Sequence, residues 1–239
     1  MAHRAVIFDL GGVVFPSPFD VFAAYEAEHG LPDRFLRTVV ATSADHGAWA
    51  RLERGELDPE AFGAAFAAEC AAAGATVDGR EILAAISRGF EPRPEMLGAI
   101  RRIRAQGLRT AALTNNWLPT GDPVPGNGDT ACGGDTGRGG DGAGSAGAPT
   151  VADRPHDLGA LGAFDVVVES AREGLRKPDP AIYRLTCTRL GVAPGEVVFL
   201  DDLGVNLKPA RALGMTTIKV TDPHTALDEL AGVLGFPLR

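Results

Sequence analysis

The sequence of 239 residues lacks the features that mark several special classes of protein. Its three cysteines are widely spaced and form no CxxC pair, which predicts neither a disulfide framework nor a cysteine-based metal site. No apolar run approaches the roughly 20 residues that span a bilayer, and the N-terminus shows no signal-peptide pattern. Acidic residues outnumber lysine and arginine by 31 to 23, which argues against a nucleic-acid or acidic-membrane binder. We therefore expect a cytoplasmic enzyme that binds neither nucleic acid nor membrane.

The composition is that of an ordinary globular protein, with 45% hydrophobic and 23% charged residues. Short apolar runs predict five strands, over residues 4–9, 108–114, 164–168, 196–201 and 215–220. Helix-period segments predict helices over residues 94–106, 179–190, 206–213 and about 224–234. Strands separated by helices of this length favour right-handed crossovers. The sequence thus predicts an α/β fold with a parallel sheet of about five strands and helices on both faces.

Two segments depart from this alternation. Residues 16–91 are rich in alanine and predict only helices, over 20–29, 33–44, 46–54, 59–73 and 79–88. We predict that they form a helical domain, inserted into a core domain made of residues 1–15 and 92–239. Residues 119–157 are dominated by glycine and small or polar residues, which predicts a disordered insertion or, less simply, a lid.

Polar side chains follow the first, second and fourth predicted strands. Asp9 ends the first, Thr114 ends the second, and Asp201 with Asp202 ends the fourth. In parallel sheets, ligands bind beyond the carboxyl ends of the strands. These residues should therefore lie together at one edge of the sheet.

The chemistry of these residue types fits phosphoryl transfer. A carboxylate such as Asp9 can attack phosphorus and hold the phosphoryl group as an acyl phosphate. A divalent cation is needed because two anions must approach each other. Asp201 and Asp202 supply the hard oxygen ligands that magnesium prefers. The hydroxyl of Thr114 can hold phosphate, and Lys177 can add a stabilising positive charge.

The segments FDLGG, LTNN, KPDP and FLDD-x3-N resemble the motifs of the haloacid dehalogenase superfamily. The stretches EVVFLDDLGVNLKPARALGMTTIKV, LTNNW and RGELDPEAF are most similar to the phosphatase-like N-terminal domain of soluble epoxide hydrolases and to the similar domain of acyl-CoA dehydrogenase fusions. This resemblance implies a Rossmann-like core, a helical cap, Mg²⁺ and hydrolysis of phosphate esters. Epoxide hydrolysis is not expected, since that chemistry belongs to a separate α/β-hydrolase domain.

The resemblance also implies a role for each motif residue. Asp9 would be the nucleophile and a metal ligand, and Asp202 would be a second metal ligand. Thr114 and Asn115 would form the phosphate clamp. Lys177 would be the charge-stabilising lysine. The supporting residues would be Asp201 and Asn206.

One position departs from the pattern of the phosphatases in this superfamily. They usually carry a second aspartate two residues after the nucleophile, which serves as acid and base, and here that position is Gly11. The backbone carbonyl of Gly11 can still bind the metal. The missing proton donor predicts a phosphatase that favours good leaving groups, because acid–base assistance contributes about 10²–10⁴-fold in rate.

Two other functions remain open at this point. The same aspartate could hydrolyse a carbon–halogen bond, although that reaction needs no metal and gives Asp201, Asp202 and Thr114 no task. The chain could also be a vestigial domain that binds a phosphorylated ligand or a partner, which Gly11 keeps open. The identity of the small phosphorylated metabolite and the oligomeric state are not predicted.

Overall fold

The computed structural model describes residues 2–88, 91–119 and 161–239. Its centre is a parallel sheet of five strands in the order β3-β2-β1-β4-β5, which confirms the predicted α/β, Rossmann-like architecture. The strands are β1 (Ala5–Phe8), β2 (Arg109–Thr114), β3 (Val166–Glu169), β4 (Val197–Asp201) and β5 (Thr216–Lys219). β1 lies in the middle, with Phe8 level with Ala112 of β2 and Leu200 of β4. The first strand along the chain is therefore enclosed on both sides.

Helices cover both faces of this sheet because successive strand residues point to opposite sides. On one face, Val6 and Phe8 pack against α6 (Pro94–Ala105) and α10 (Pro223–Leu234). On the other face, Ala5 and Ile7 pack in a second core with α8 (Pro180–Leu190) and α9 (Gly204–Ala212). The short helix α7 (Ser170–Glu173) follows β3 directly. The apolar runs of β1 and β4 are thus strands buried on both faces, whereas the edge strands β3 and β5 are partly exposed.

The helices between β1 and α6 form their own hydrophobic cluster. They are α1 (Pro18–Glu28), α2 (Phe35–Ser43), α3 (Ala48–Glu53), α4 (Pro59–Ala72) and α5 (Gly79–Arg88), here called the cap helices. Trp49 lies at the centre of the cluster, with its ring 5.2 Å from that of Phe22 and 5.4 Å from that of Phe62. The five helices follow the predicted segments closely. The domain boundaries themselves stay a prediction.

Several helices begin at a proline that follows an aspartate or a serine in the sequence. In α1, α4, α8 and α10 the residue before the helix accepts a hydrogen bond from a backbone N–H of the first turn, and a proline follows. Proline suits this position because its missing N–H would have no helical partner there. The capping pairs are Ser17-Pro18, Asp58-Pro59, Asp179-Pro180 and Asp222-Pro223.

Two expectations concern the rest of the chain. The glycine-rich segment 119–157 lies, apart from its first residue, outside the described residues. Within the residues that the structure does describe, no helix is long and apolar enough to cross a membrane.

Candidate active site

The carboxyl ends of three neighbouring strands carry the predicted site residues. Thr114 and Asp201 are the last residues of β2 and β4, and Asp9 directly follows β1 between them. The Asp9 backbone N–H still donates to the Leu200 carbonyl at 2.9 Å, so the sheet ladder continues up to the carboxylate. The predicted convergence at one edge of the sheet is therefore observed.

Lys177 joins two of these strand ends through its side chain. Its Nζ lies 2.7 Å from Asp9 Oδ1 and 2.8 Å from Asp201 Oδ2, and only 1% of the side chain is exposed. Burial by itself would lower the pKa of this ammonium, but the charges of Asp201 and Asp9 raise the pKa above its usual value. The site thus contains a buried ammonium group that contacts the predicted nucleophile.

A third carboxylate, that of Asp202, lies beside the two that contact Lys177. Asp9, Asp201 and Asp202 each place an oxygen within 4.8 Å of the others. Burial raises the pKa of Asp9 well above its usual range, with Lys177 opposing and Asp201 adding to the shift. Burial and the charge of Asp201 raise the pKa of Asp202 to about 6. If all three carboxylates are ionised, they and the ammonium together carry two excess negative charges, which a divalent cation such as Mg²⁺ would balance with the oxygen ligands that it prefers.

The Asp201 carboxylate is fully occupied by hydrogen bonds. It accepts from Leu203 N at 2.8 Å and, with both oxygens, from Asn206 Nδ2 at 3.1 Å, in addition to its contact with Lys177. The carbonyl of Asn206 in turn accepts from the Tyr183 hydroxyl at 2.8 Å. These contacts hold the Asp201 carboxylate in place and leave Asp202 as the carboxylate of this segment that can face a ligand. The supporting role of Asp201 and Asn206 stays a prediction.

The backbone after Asp9 runs close against Asp202. Gly12 has φ of +78°, and a Cβ there would lie 2.4 Å from Asp202 Oδ2, so a larger residue would collide with the carboxylate. At Gly11 a Cβ would lie 3.2 and 3.3 Å from two ring carbons of Pro18. The position of the usual acid–base aspartate is therefore crowded by the first residue of α1.

The two residues of the predicted phosphate clamp, Thr114 and Asn115, differ in how their side chains are hydrogen-bonded. The buried Thr114 hydroxyl makes one long hydrogen bond within the described residues, of 3.4 Å to the Asn115 carbonyl, and so can serve a ligand. The Asn115 side chain instead accepts from Lys177 N at 2.9 Å and donates to Lys177 O at 3.0 Å. In this arrangement the amide of Asn115 holds the lysine backbone, and its predicted phosphate contact would have to come from its own backbone N–H.

Sequence reasoning missed three residues around the site. Glu53 of α3 accepts hydrogen bonds from Asn115 and Arg176, and Arg93 donates to the carbonyls of Gly12 at 3.0 Å and Val13 at 2.9 Å. Glu53 and Arg176 are 123 residues apart, so local spacing carries no signal of their contact. Only the position of Arg176 beside the KPDP motif could have marked it as a candidate.

The sequence matches the haloacid dehalogenase-like hydrolase family over residues 3–214. The chain belongs to this family and is a hydrolase. The strand-end aspartates and the lysine described above lie within the matched region. The resemblance stated from the motifs is thereby confirmed.

Curated relatives support the same assignment. The chain is 38% identical over 241 residues to acyl-CoA dehydrogenase family member 10 of Mus musculus, covering 99% of this chain and 20% of that protein. It is 34% identical over 247 residues to bifunctional epoxide hydrolase 2 of Sus scrofa, covering 100% and 40%. The sesquiterpene phosphatase astK of Aspergillus oryzae is 25% identical over 240 residues, with 97% of each chain covered. The chain thus spans about a fifth and two fifths of the length of the first two relatives.

A solved structure agrees with the fold. The HAD family enzyme of Bacteroides thetaiotaomicron, crystallised with magnesium and inorganic phosphate, superposes with a TM-score of 0.55 at 16% identity, covering 91% of this chain and 94% of that one. At this identity the likeness concerns the fold alone.

Proposed function

We propose that this hydrolase is a Mg²⁺-dependent phosphatase of a small phosphorylated metabolite, acting through an aspartyl-phosphate on Asp9. The observation that carries the proposal is the contact of Lys177 with Asp9 inside a cluster of three carboxylates. This arrangement combines a nucleophile, a fixed cation and an oxygen-rich metal site. The sesquiterpene phosphatase among the relatives supports the same reaction class.

The metal would be held by Asp9, Asp202 and the carbonyl of Gly11. When bound, Mg²⁺ offsets the negative charge that the substrate phosphate brings to these carboxylates. Lys177 holds Asp9 Oδ1 together with the Leu10 backbone N–H, which donates at 2.7 Å. These two donors fix the plane of the carboxylate before substrate arrives, so little reorganisation is needed at the moment of attack.

The proposed reaction has two displacements. In the first, an Asp9 carboxylate oxygen bonds to phosphorus and the ester P–O bond breaks, and the leaving alkoxide or phenoxide takes its proton from solvent. In the second, water attacks phosphorus, the P–O bond to Asp9 breaks and a proton of the water passes to solvent. Inorganic phosphate leaves, and the Asp9 carboxylate is restored. Thr114 is proposed to hold phosphate oxygens in both steps, and Lys177 to stabilise their charge.

We expect the site to select substrates by the acidity of their leaving group. Gly11 offers no side chain to protonate the departing oxygen, so substrates with acidic leaving groups are proposed to react best. Acyl, aryl, enol and anomeric phosphates belong to this class. The cap helices, proposed as a domain over residues 16–91, would select among them.

The two alternatives receive unequal support. Dehalogenation needs no metal, so the carboxylate of Asp202 beside Asp9 favours phosphoryl transfer over it. A vestigial domain that binds a phosphorylated ligand is favoured by one observation, the crowding of Gly11 by Pro18. Binding of magnesium and phosphate without turnover would identify that alternative.

Hydrolysis of p-nitrophenyl phosphate by the purified protein, with and without Mg²⁺, tests the proposal. The ester has a good leaving group, so the missing acid at Gly11 should matter least. We expect Mg²⁺-dependent turnover that Asp9→Asn abolishes. Because burial already penalises the charge of Asp9, this variant should stay folded. A folded wild type without turnover would overturn the proposal.

A further inference from the structure

One buried acid of the cap helices reaches across to the core. Glu53, at the end of α3, is 9% exposed. Its Oε1 accepts from Trp49 Nε1 at 3.0 Å, and its Oε2 accepts from Arg176 Nε at 2.8 Å and from Asn115 Nδ2 at 3.2 Å. Two of its three partners therefore belong to the core, and each stands next to a predicted site residue.

Both core partners lead to Lys177. Arg176 precedes it in the chain, and the Asn115 side chain bonds its backbone N–H and its carbonyl. The Nζ of Lys177 then contacts Asp9 at 2.7 Å. An unbroken series of contacts thus runs from the centre of the cap-helix cluster, at Trp49, to the nucleophile.

We propose that Glu53 is a positioning residue that sets the orientation of Lys177 through Asn115 and Arg176. A carboxylate that accepts from a guanidinium and an amide forms the stronger, charge-assisted kind of hydrogen bond. Without Glu53, the Asn115 amide loses one partner. Among the side-chain contacts of Arg176 within the described part of the chain, its ion pair with the exposed Asp45, at 2.8 Å, is then the one that remains. The Asn115 amide still bonds the Lys177 backbone but is itself less restrained, so Nζ is held less firmly between Asp9 and Asp201.

A matched control exists in the same helical segment. Glu69 of α4 accepts hydrogen bonds from Ala48 N at 2.7 Å and Ser43 Oγ at 3.0 Å, and both partners lie in the cap helices. Glu69→Gln therefore perturbs a carboxylate of the cap helices without touching Asn115 or Arg176. A general loss of cap structure would affect both variants, whereas loss of Lys177 positioning would affect only Glu53 variants.

The first readout is hydrogen exchange of the Lys177 backbone amide, which needs no enzymatic activity. In Glu53→Ala we expect this amide to exchange about tenfold faster, as expected for loss of a charge-assisted restraint, and in Glu53→Gln we expect a smaller change. In Glu69→Gln the rate should match wild type. Equal exchange in Glu53→Ala and wild type, or equal acceleration in Glu69→Gln, would overturn the inference.

The second readout rests on the proposed function. For p-nitrophenyl phosphate with Mg²⁺, Glu53→Ala should lower kcat by about 10²-fold, as a small misplacement of a catalytic group does, with KM changed much less. In the double variant with Asn115→Ala, the loss in kcat should be smaller than the product of the two single losses, because part of the effect of Glu53 passes through Asn115. Additive losses would contradict the inference. Absence of turnover in wild type would contradict the phosphatase proposal and leave the exchange result as the deciding test of Glu53.

Discussion

The carboxyl ends of β1 and β4 are neighbours in the sheet, but their polar groups differ in how completely they are hydrogen-bonded and in which side chains are present. At the β4 end, Asp201 has every oxygen hydrogen-bonded and Asn206 is held from behind by Tyr183. At the β1 end, Asp9 is followed by Gly11, where a side chain would crowd Pro18. The residues proposed to stabilise charge thus contact one another, whereas the position proposed for an acid–base residue has no side chain. Under the proposed function, the site would stabilise charge without supplying a proton to the leaving group.

Removing the Lys177 ammonium should cause the largest loss of activity and of stability among the variants that test this difference. Lys177→Ala leaves Asp9 and Asp201 facing each other in a buried site, so we expect kcat to fall about 10²–10³-fold. Loss of one partner of a buried ion pair should also lower the free energy of unfolding by about 3–5 kcal/mol. Phosphatase assays and urea denaturation measure both effects. The exposed Lys208→Ala is the control, and wild-type kcat in folded Lys177→Ala would contradict the assigned role.

Introducing an acid at position 11 should raise activity, in contrast to the removal of Lys177. Gly11→Asp should raise turnover of alkyl phosphates by about 10²-fold, the lower end of acid–base assistance, and that of aryl phosphates much less. Its Cβ must displace Pro18 by a few tenths of an ångström, so we expect a lower melting temperature as well.

Combining Gly11→Asp with Pro18→Ala tests the steric part of this expectation. The melting temperature of the double variant should be higher than the value obtained by adding the separate effects of Gly11→Asp and Pro18→Ala, because the proline ring no longer crowds the new Cβ. If Gly11→Asp gains nothing on alkyl phosphates in either background, the missing acid is not what limits the enzyme.

Neutralising the proposed metal ligand should have a smaller but selective effect. Asp202→Asn keeps the size of the side chain and removes one charge, so Mg²⁺ affinity should fall at least about tenfold. Calorimetric titration with Mg²⁺ measures this loss. Asp228→Asn, on the surface of α10, should bind Mg²⁺ as wild type does. Unchanged affinity in Asp202→Asn would place the metal elsewhere.

The smallest predicted effect is a dependence of metal stabilisation on pH. Burial raises the pKa of Asp202 from 3.8 to about 6, so its ionised form destabilises the metal-free fold above about pH 6, and protonation relieves this as pH falls. Since Mg²⁺ binds the ionised form, its addition should raise the melting temperature most above pH 7. The rise should shrink as pH falls through about 6. A rise that is constant from pH 5 to pH 8 would contradict this linkage.

The sequence predicted the sheet and the gathering of its strand-end residues because both follow from local patterns. Apolar runs mark β1 and β4, and an acid at the end of each run places Asp9 and Asp201 at the same edge. Contacts between distant residues could not be read in this way. Glu53 is one of several acids in the cap helices, and only the folded chain brings it to Asn115 and Arg176. The crowding of Gly11 likewise depends on where α1 begins.

The central claim is that the site stabilises charge but supplies no proton to the leaving group. The most direct test is the dependence of wild-type kcat/KM on the leaving group. The measurement uses aryl and alkyl phosphates with Mg²⁺, ordered by the pKa of the released alcohol or phenol. We predict a steep fall in rate as that pKa rises, because nothing at Gly11 protonates the departing oxygen. A flat dependence, with alkyl and aryl phosphates hydrolysed equally well, would contradict the account.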